Sequence, residues 1–369
     1  MARVTTEEVL ERLGELADPD LDQPLVDLGL VDVDIIARTP RVTVRYVPGS
    51  EQVTDQLRSS ARQRLEPLGV QLMLEPLDEE GLSSLAARLE STSAREAREA
   101  RKAPFASPES PTRVLGISSG KGGVGKSSVS VNLALALSAL GHRTAILDAD
   151  VYGFSVPKML GEERPPRVVG QLIVPPRIRG VRVISLGFFV DDATPVIWRG
   201  PMLHSTLQQF LVDVYWGELD YLVVDMPPGT GDVALSLQEF LPRAEIYVVT
   251  TPQPAAQRVA QRSAIAARKL KLPVRGVVEN MTDFVADDGT HYPIFGSGGG
   301  DALAAALEVP VLGRIPLTMG LRAGGDEGMP VVAVRPDDPA AAAITELAAR
   351  IVSLGAARRY RADLRVQTR

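Results

Sequence analysis

The chain has 369 residues, 45% of them hydrophobic and 23% charged, the balance of a globular protein with room for two or three domains. Forty lysines and arginines against 46 aspartates and glutamates leave a net charge of −6, which argues against a general nucleic-acid coat or a protein of anionic membranes. There is no cysteine, so disulfides, a thiol nucleophile and any thiolate-held metal or iron–sulfur site built from this chain alone are excluded.

In chain order, residues 1–77 read as a small α+β unit. Val9, Leu13 and Leu16 share a helical face that stops before Asp18-Pro19. Two period-two segments follow (Val31, Val33, Ile35; Val42, Val44, Tyr46), then a helical pattern (Val53, Leu57, Ala61, Leu65) and a strand through Val70, Leu72 and Leu74. Residues 78–112 mix glutamates with arginines and end in Pro104, Pro108 and Pro111, the composition of a solvated tether, helical in its charged part. Over 113–355, short apolar runs alternate with helical patterns. Strands are expected at 114–118, 144–148, 181–186, 221–225, 246–250, 274–279 and 311–315. Near-continuous apolar strands separated by helices predict a doubly wound, mostly parallel α/β sheet covered on both faces. The tail, 356–369, carries five arginines against one aspartate and is expected to be solvated. No apolar run reaches the ~18 residues of a membrane helix. The start, Met1-Ala2-Arg3-Val4-Thr5-Thr6, lacks a secretory signal, so a cytoplasmic location is expected.

The strongest motif is Gly120-Lys121-Gly122-Gly123-Val124-Gly125-Lys126-Ser127, which satisfies G-x-x-x-x-G-K-[ST]. An apolar strand enters it, and a helix with Val129, Leu133, Ala136, Leu137 and Leu140 on one face leaves it, stopping at Gly141. Glycines let backbone N–H groups from Gly120 to Ser128 curl around a di- or triphosphate, and the helix N-terminus adds partial positive charge. Lys126 is expected to reach the β- and γ-phosphates, and the Ser127 hydroxyl to ligate Mg²⁺. The strand Tyr221-Leu222-Val223-Val224-Asp225 ends in a carboxylate suited to holding Mg²⁺ through water, with Gly229 beyond it to sense the γ-phosphate. Ala145-Ile146-Leu147-Asp148-Ala149-Asp150 ends a neighbouring strand, with Asp150 set to orient the attacking water and Asp148 near the metal. Lys121 is either a surface charge or a second cation reaching across from a partner's loop; the latter predicts a dimer closed on two nucleotides. His142, after Gly141, and His204 are expected to cap or lie at the surface.

The loop resembles the deviant Walker A of the MinD/ParA class of ATPases. The segments 116–127, 147–153, 198–202, 216–221, 225–232 and 295–300 together resemble the Mrp/ApbC family, and Asp18-Pro19-Asp20-Leu21 with Val26-Asp27-Leu28-Gly29-Leu30 resembles the small SufT/PaaD-like domain that often precedes it. The resemblance implies a P-loop NTPase fold, ATP and Mg²⁺, a homodimer, and a role as carrier of iron–sulfur clusters to apoproteins or assembly proteins. It gives Lys121, Lys126, Ser127, Asp150 and Asp225 the roles argued above, and places Asn280 where adenine is recognised. One departure stands out: the family's C-P-x-C segment is replaced by Phe284-Val285-Ala286-Asp287-Asp288-Gly289-Thr290-His291-Tyr292-Pro293, and Pro48-Gly49-Ser50-Glu51 stands near the place of the N-terminal cysteine. Carboxylates replace thiolates poorly on such clusters, so direct cluster binding is not expected; Asp287, Asp288 and His291 suit a polar turn better than a metal site. Two other readings share the scaffold. A MinD/ParA-type positioning ATPase would need a lipid-gripping tail or a broad basic face; a small-molecule kinase would need a substrate pocket for which no residues stand out.

Overall fold

The computed structural model describes residues 4–36, 39–150, 153–189, 200–229, 232–286 and 288–357. The motif residues Val151, Tyr152, Trp198, Arg199, Thr230 and Gly231, Asp287 and nearly all of the basic tail lie outside these.

The N-terminal unit runs α1 (Thr6–Leu13), β1 (Val31–Ile36), β2 (Thr39–Tyr46), α2 (Glu51–Leu65) and β3 (Gln71–Pro76). β1 and β2 pair antiparallel, while β2 and β3 pair parallel, the crossover being supplied by α2. Val9, Leu13, Val42, Val44, Val53 and Leu57 form its buried centre. Thr5 and Ser50 cap the two helices through their hydroxyls. α1 ends at Leu13, so Leu16 is buried from the following turn and not from the helix. The charged stretch beyond is held down more firmly than a solvated tether. It folds into α3 (Glu79–Leu89) and α4 (Thr92–Glu99); Leu85 and Leu89 join the N-terminal core, and Phe105 enters the core of the larger unit. Its few apolar residues, hidden among charges, do the anchoring.

The larger unit continues with β4 (Arg113–Ser119), α5 (Lys126–Ala139), β5 (Thr144–Asp148), α6 (Val156–Leu160), the hairpin β6 (Arg167–Val169) and β7 (Leu172–Val174), then β8 (Arg177–Ile178) and β9 (Val181–Ser185). After these come α7 (Gly200–Asp213), β10 (Tyr221–Asp225), α8 (Asp232–Phe240), β11 (Glu245–Thr250), α9 (Pro254–Lys269), β12 (Val274–Val285) and β13 (His291–Tyr292). The unit closes with α10 (Gly299–Leu307), β14 (Val311–Thr318), α11 (Met319–Asp326), α12 (Val331–Val334) and α13 (Pro339–Leu354). The main sheet has the order β13-β12-β11-β4-β10-β5-β9-β8, with β14 also on β12. Among the described residues of this sheet, β8–β9 and β12–β13 are the pairs that run antiparallel.

All seven expected strands are present. β12 and β14 run longer than expected because they stay paired past Asn280, with a register shift before Phe284 and a positive φ at Met281. One face of the sheet packs Leu207, Phe210, Leu237 and Ala264; the other packs Leu133, Leu137, Ile344 and Leu347. α5 lies between the sheet and α12–α13, so it is buried almost all round, and Leu140 caps its end exposed instead of extending an apolar face. The order reverses at β4, flanked by β10 and β11, and at such switch points the crevice at the strand C-termini receives ligands.

Candidate nucleotide site

β4 delivers the chain to the glycine loop and α5 takes it away. Gly123 and Gly125 have φ of +80° and +78°, a left-handed backbone that favours glycine and turns successive N–H groups toward one side. Side-chain positions at Gly122 and Gly123 face open space, leaving the mouth of the loop clear. Its back is closed. A Cβ on Gly120 would lie 2.1 Å from the Ala260 nitrogen of α9, and one on Gly125 would lie 2.3 Å from Asn280 Nδ2. Asn280 is buried and donates from Nδ2 to the Val124 carbonyl at 2.9 Å, bracing the loop, while its Oδ1 is buried without a partner.

Lys126, Ser127, Asp150 and Asp225 are brought together. Lys126 Nζ lies 2.8 Å from Asp225 Oδ2 and 3.4 Å from Asp150 Oδ2. Asp225 is fully buried and accepts hydroxyl protons from Ser127 at 2.5 Å and from Ser130 at 2.6 Å. Ser130 escaped the sequence reading. It sits one turn beyond Lys126 on α5, the i+4 position that faces the same strand tip, and that spacing is the signal that would have found it. Ser128 lies in the first turn of α5, its carbonyl accepting from Asn132. The Gly229 N–H donates to the Ser119 carbonyl, fixing the loop after β10 beside β4.

Asp148 is adjacent to this cluster and does not touch Lys126. Its carboxylate accepts from the Asp150 N–H at 3.1 Å, the Ser185 hydroxyl at 2.9 Å and the Val156 N–H at 3.4 Å. Burial, and next the charge of Asp225, push its carboxyl up to about 7. Between pH 4 and 7 the folded state therefore holds a proton that the unfolded chain releases, and stability falls as pH rises through this window. Asp148→Asn, measured without metal or nucleotide, is expected to raise stability at pH 8 by on the order of 1–2 kcal/mol and to flatten the slope of Tm between pH 5 and 7. An unchanged slope would assign the titration elsewhere.

Lys121 stands apart from the carboxylates, its Nζ 3.4 Å from Gln253 Oε1. His142 packs edge-on against Tyr221, and His204 pairs with Ser236 beside the Phe240 ring. Asp288 caps the Thr290 N–H and His291 pairs with Asp283; among the described residues no three acidic or histidine side chains converge as a metal site.

Residues 110–352, two-thirds of the chain, match the ParA family model described as NUBPL iron-transfer P-loop NTPase. The chain belongs to this family of iron-transfer P-loop NTPases. The iron-sulfur cluster carrier protein of Mycobacterium leprae is 42% identical over 339 residues, covering 89% of this chain and 87% of the relative. That of Synechocystis is 37% identical, covering 94% and 97%. Among solved structures, a nucleotide-binding protein from Archaeoglobus fulgidus in complex with ADP superposes with a TM-score of 0.53 at 30% identity, covering 65% of this chain and 92% of that one. The cell division ATPase MinD of Pyrococcus furiosus, 24% identical with a TM-score of 0.50 over 66% of this chain and 99% of its own, shares the fold alone. As an iron-transfer P-loop NTPase the chain has the expected mostly parallel sheet, and among its described residues no helix is long and apolar enough to cross a membrane.

Proposed function

We propose that the chain binds and hydrolyses Mg·ATP as a Mrp-type carrier or assembly factor for iron–sulfur clusters, working as a homodimer closed on two nucleotides. The observation that carries the nucleotide part is the contact of Lys126 and Ser127 with the buried carboxylate of Asp225 at the mouth of a loop whose glycines leave room for phosphate. The residues fit the ligand. Two hydroxyls and a carboxylate are hard oxygen donors suited to Mg²⁺, and the unpartnered Asn280 Oδ1 is an acceptor fit for an N–H donor such as the adenine amine. Ser127 and, through water, Asp225 would hold the ion, with Asp148 behind them. Bound there, Mg²⁺ neutralises charge on the phosphate oxygens.

The residues of the chain do the rest. Backbone N–H groups from Gly120 to Ser128 hold the β-phosphate against the N-terminus of α5. Lys126 turns from the carboxylates to the β- and γ-phosphate oxygens, which frees Asp150 to accept a hydrogen bond from the attacking water. That water bonds to the γ-phosphorus as the bond to the β-phosphate oxygen breaks, giving ADP and phosphate. Lys121, lying on Gln253 at the rim of the loop, is free to serve a partner's nucleotide. Lys121→Ala is expected to keep nucleotide affinity within about twofold while lowering turnover at least about tenfold, by removing a cation used only in the transition state. Unchanged turnover would leave Lys121 a surface charge.

The cluster is cargo, and this chain supplies no thiolate for it. The client or an assembly partner provides the sulfur ligands, and ATP-driven closure of the dimer sets when they engage. Two measurements test the reading. Calorimetric titration with Mg·ATP should register binding, and anaerobic reconstitution with iron and sulfide should give no stable visible chromophore. Absence of nucleotide binding would end the ATPase reading, and a stoichiometric cluster would overturn the division of labour.

A further inference from the structure

The loop Asp18-Pro19-Asp20 of the N-terminal unit is gripped by arginines that lie just beyond Asp150 in the chain. Arg167, at the start of β6, is buried to within 1% of its side chain. Its guanidinium meets both oxygens of Asp18, at 2.5 and 2.9 Å, as well as Asp20 at 2.8 Å and the Val47 carbonyl at 3.2 Å. The fork geometry matches a carboxylate bidentately, a fit that lysine does not offer. Arg164 approaches Asp20 at 3.6 Å while paired with Glu162, and the Arg177 N–H donates to Asp20 at 3.0 Å. Apolar packing reinforces the grip, since Val169, Leu172 and Val174 of the β6–β7 hairpin lie in the core of the N-terminal unit.

The other end of this segment is the nucleotide site. The Gly153 N–H donates to the Asp150 carbonyl, and the first N–H of α6, on Val156, meets the same Asp148 carboxylate that accepts from the Asp150 N–H. α6 packs on α5. At its C-terminus Gly161 meets Gly328 backbone to backbone, where a Cβ on Gly161 would lie 2.8 Å from the Gly328 oxygen. Three residues later comes Arg164. The bonds of Asp148 and Asp150 to Val156 and Gly153, the packing of α6 on α5 and the Gly161–Gly328 contact thus link the nucleotide site to the stretch that carries the Asp18–Asp20 clamp. Packed elements of this kind can carry a shift between two sites.

We infer that Arg167 and Arg164 are positioning residues for Asp150: by fastening the far end of the segment to the N-terminal unit, they hold Asp150 in line with the phosphate loop. The inference rests on the proposed nucleotide chemistry and assigns the N-terminal unit a part in it. The grip acts on the geometry of hydrolysis and leaves the cradle that binds phosphate untouched, because Gly120–Ser128 are braced by α9 and Asn280 instead.

The test uses the full chain and compares Arg167→Ala, Arg167→Lys and Arg164→Ala with wild type in steady-state ATP turnover and in calorimetric ADP affinity. Arg167→Ala is expected to lower kcat at least fivefold with ADP affinity within twofold of wild type. Arg167→Lys should recover part of the loss, and Arg164→Ala should lower kcat about twofold. A purely structural role would reduce the fraction of chains that bind ADP without changing turnover per bound nucleotide. Should Arg167→Ala fail to fold, Arg164→Ala decides alone, because its partly exposed guanidinium leaves the Arg167 pair in place. Wild-type kcat in every folded variant would overturn the inference and leave the proposed function standing. A wild-type chain without ATP turnover would instead overturn the proposed function, and this inference with it.

Discussion

Lys126→Ala is expected to reduce ATP turnover by about 10²–10³-fold, a scale typical of deleting one preorganised charge from a transition state. The ammonium is the only cation in contact with Asp150 and Asp225 among the described residues, and it lies with them out of water. Its removal acts twice. In the nucleotide-free chain it leaves the buried Asp225 with hydroxyl partners alone, and breaking a buried ion pair from one side costs about 3–5 kcal/mol. In the complex, on the proposed mechanism, it would remove the charge that follows the γ-phosphate into the transition state. Steady-state turnover and a thermal melt of the same preparation separate the two effects, because on the proposed reading bound Mg·ATP would restore a cation beside Asp225 but not the ammonium of Lys126. Turnover near wild type in a folded Lys126→Ala chain would remove this cluster from the mechanism.

Gly120→Ala should disable the site by a different route. The added methyl would stand 2.1 Å from Ala260 N and 2.3 Å from the carbonyl carbon of Val259, both backbone atoms of α9 with no rotamer to yield. Overpacking of this kind costs about 1–3 kcal/mol where neighbours can adjust, and more where they are helix backbone. The loop must lift or the helix must move, and either shift carries the phosphate cradle with it. The expected result is a lower Tm together with at least about tenfold weaker ADP binding. Gly122→Ala is the control for stability, since a Cβ there meets nothing within 4 Å. Equal melting of the two variants would refute the account of Gly120 as a packing residue.

The central parallel strands were legible because they are short, mostly apolar runs buried on both faces, and 144–148 and 221–225 were legible to the residue. The phosphate loop was legible because its chemistry demands glycines and a lysine at fixed spacing. Less was readable where geometry depends on partners distant in the chain. β6, β7 and β8 have two or three residues each, too few for any periodicity. Arg167 looks like any surface arginine until Asp18, 149 residues earlier, is brought against it. Asn280 was singled out by family likeness as a base-recognition residue, whereas in the structure its amide also props the loop at Val124. Ser130 hid among the small residues of a helix that is buried nearly all round, where an inward hydroxyl and an inward alanine look alike.

The resting position of the Lys126 side chain has a consequence for selectivity. With its ammonium lodged between Asp150 and Asp225, Lys126 offsets one of the two carboxylate charges. A bare nucleotide that drew the lysine away would leave its own anionic oxygens facing two stripped carboxylates in a water-poor corner, and like charges so placed repel strongly. Only a nucleotide that arrives with its own counter-charge can make the exchange at little cost. On the proposed reading, the loop would discriminate between the divalent-metal complex and the free polyanion before any chemistry begins.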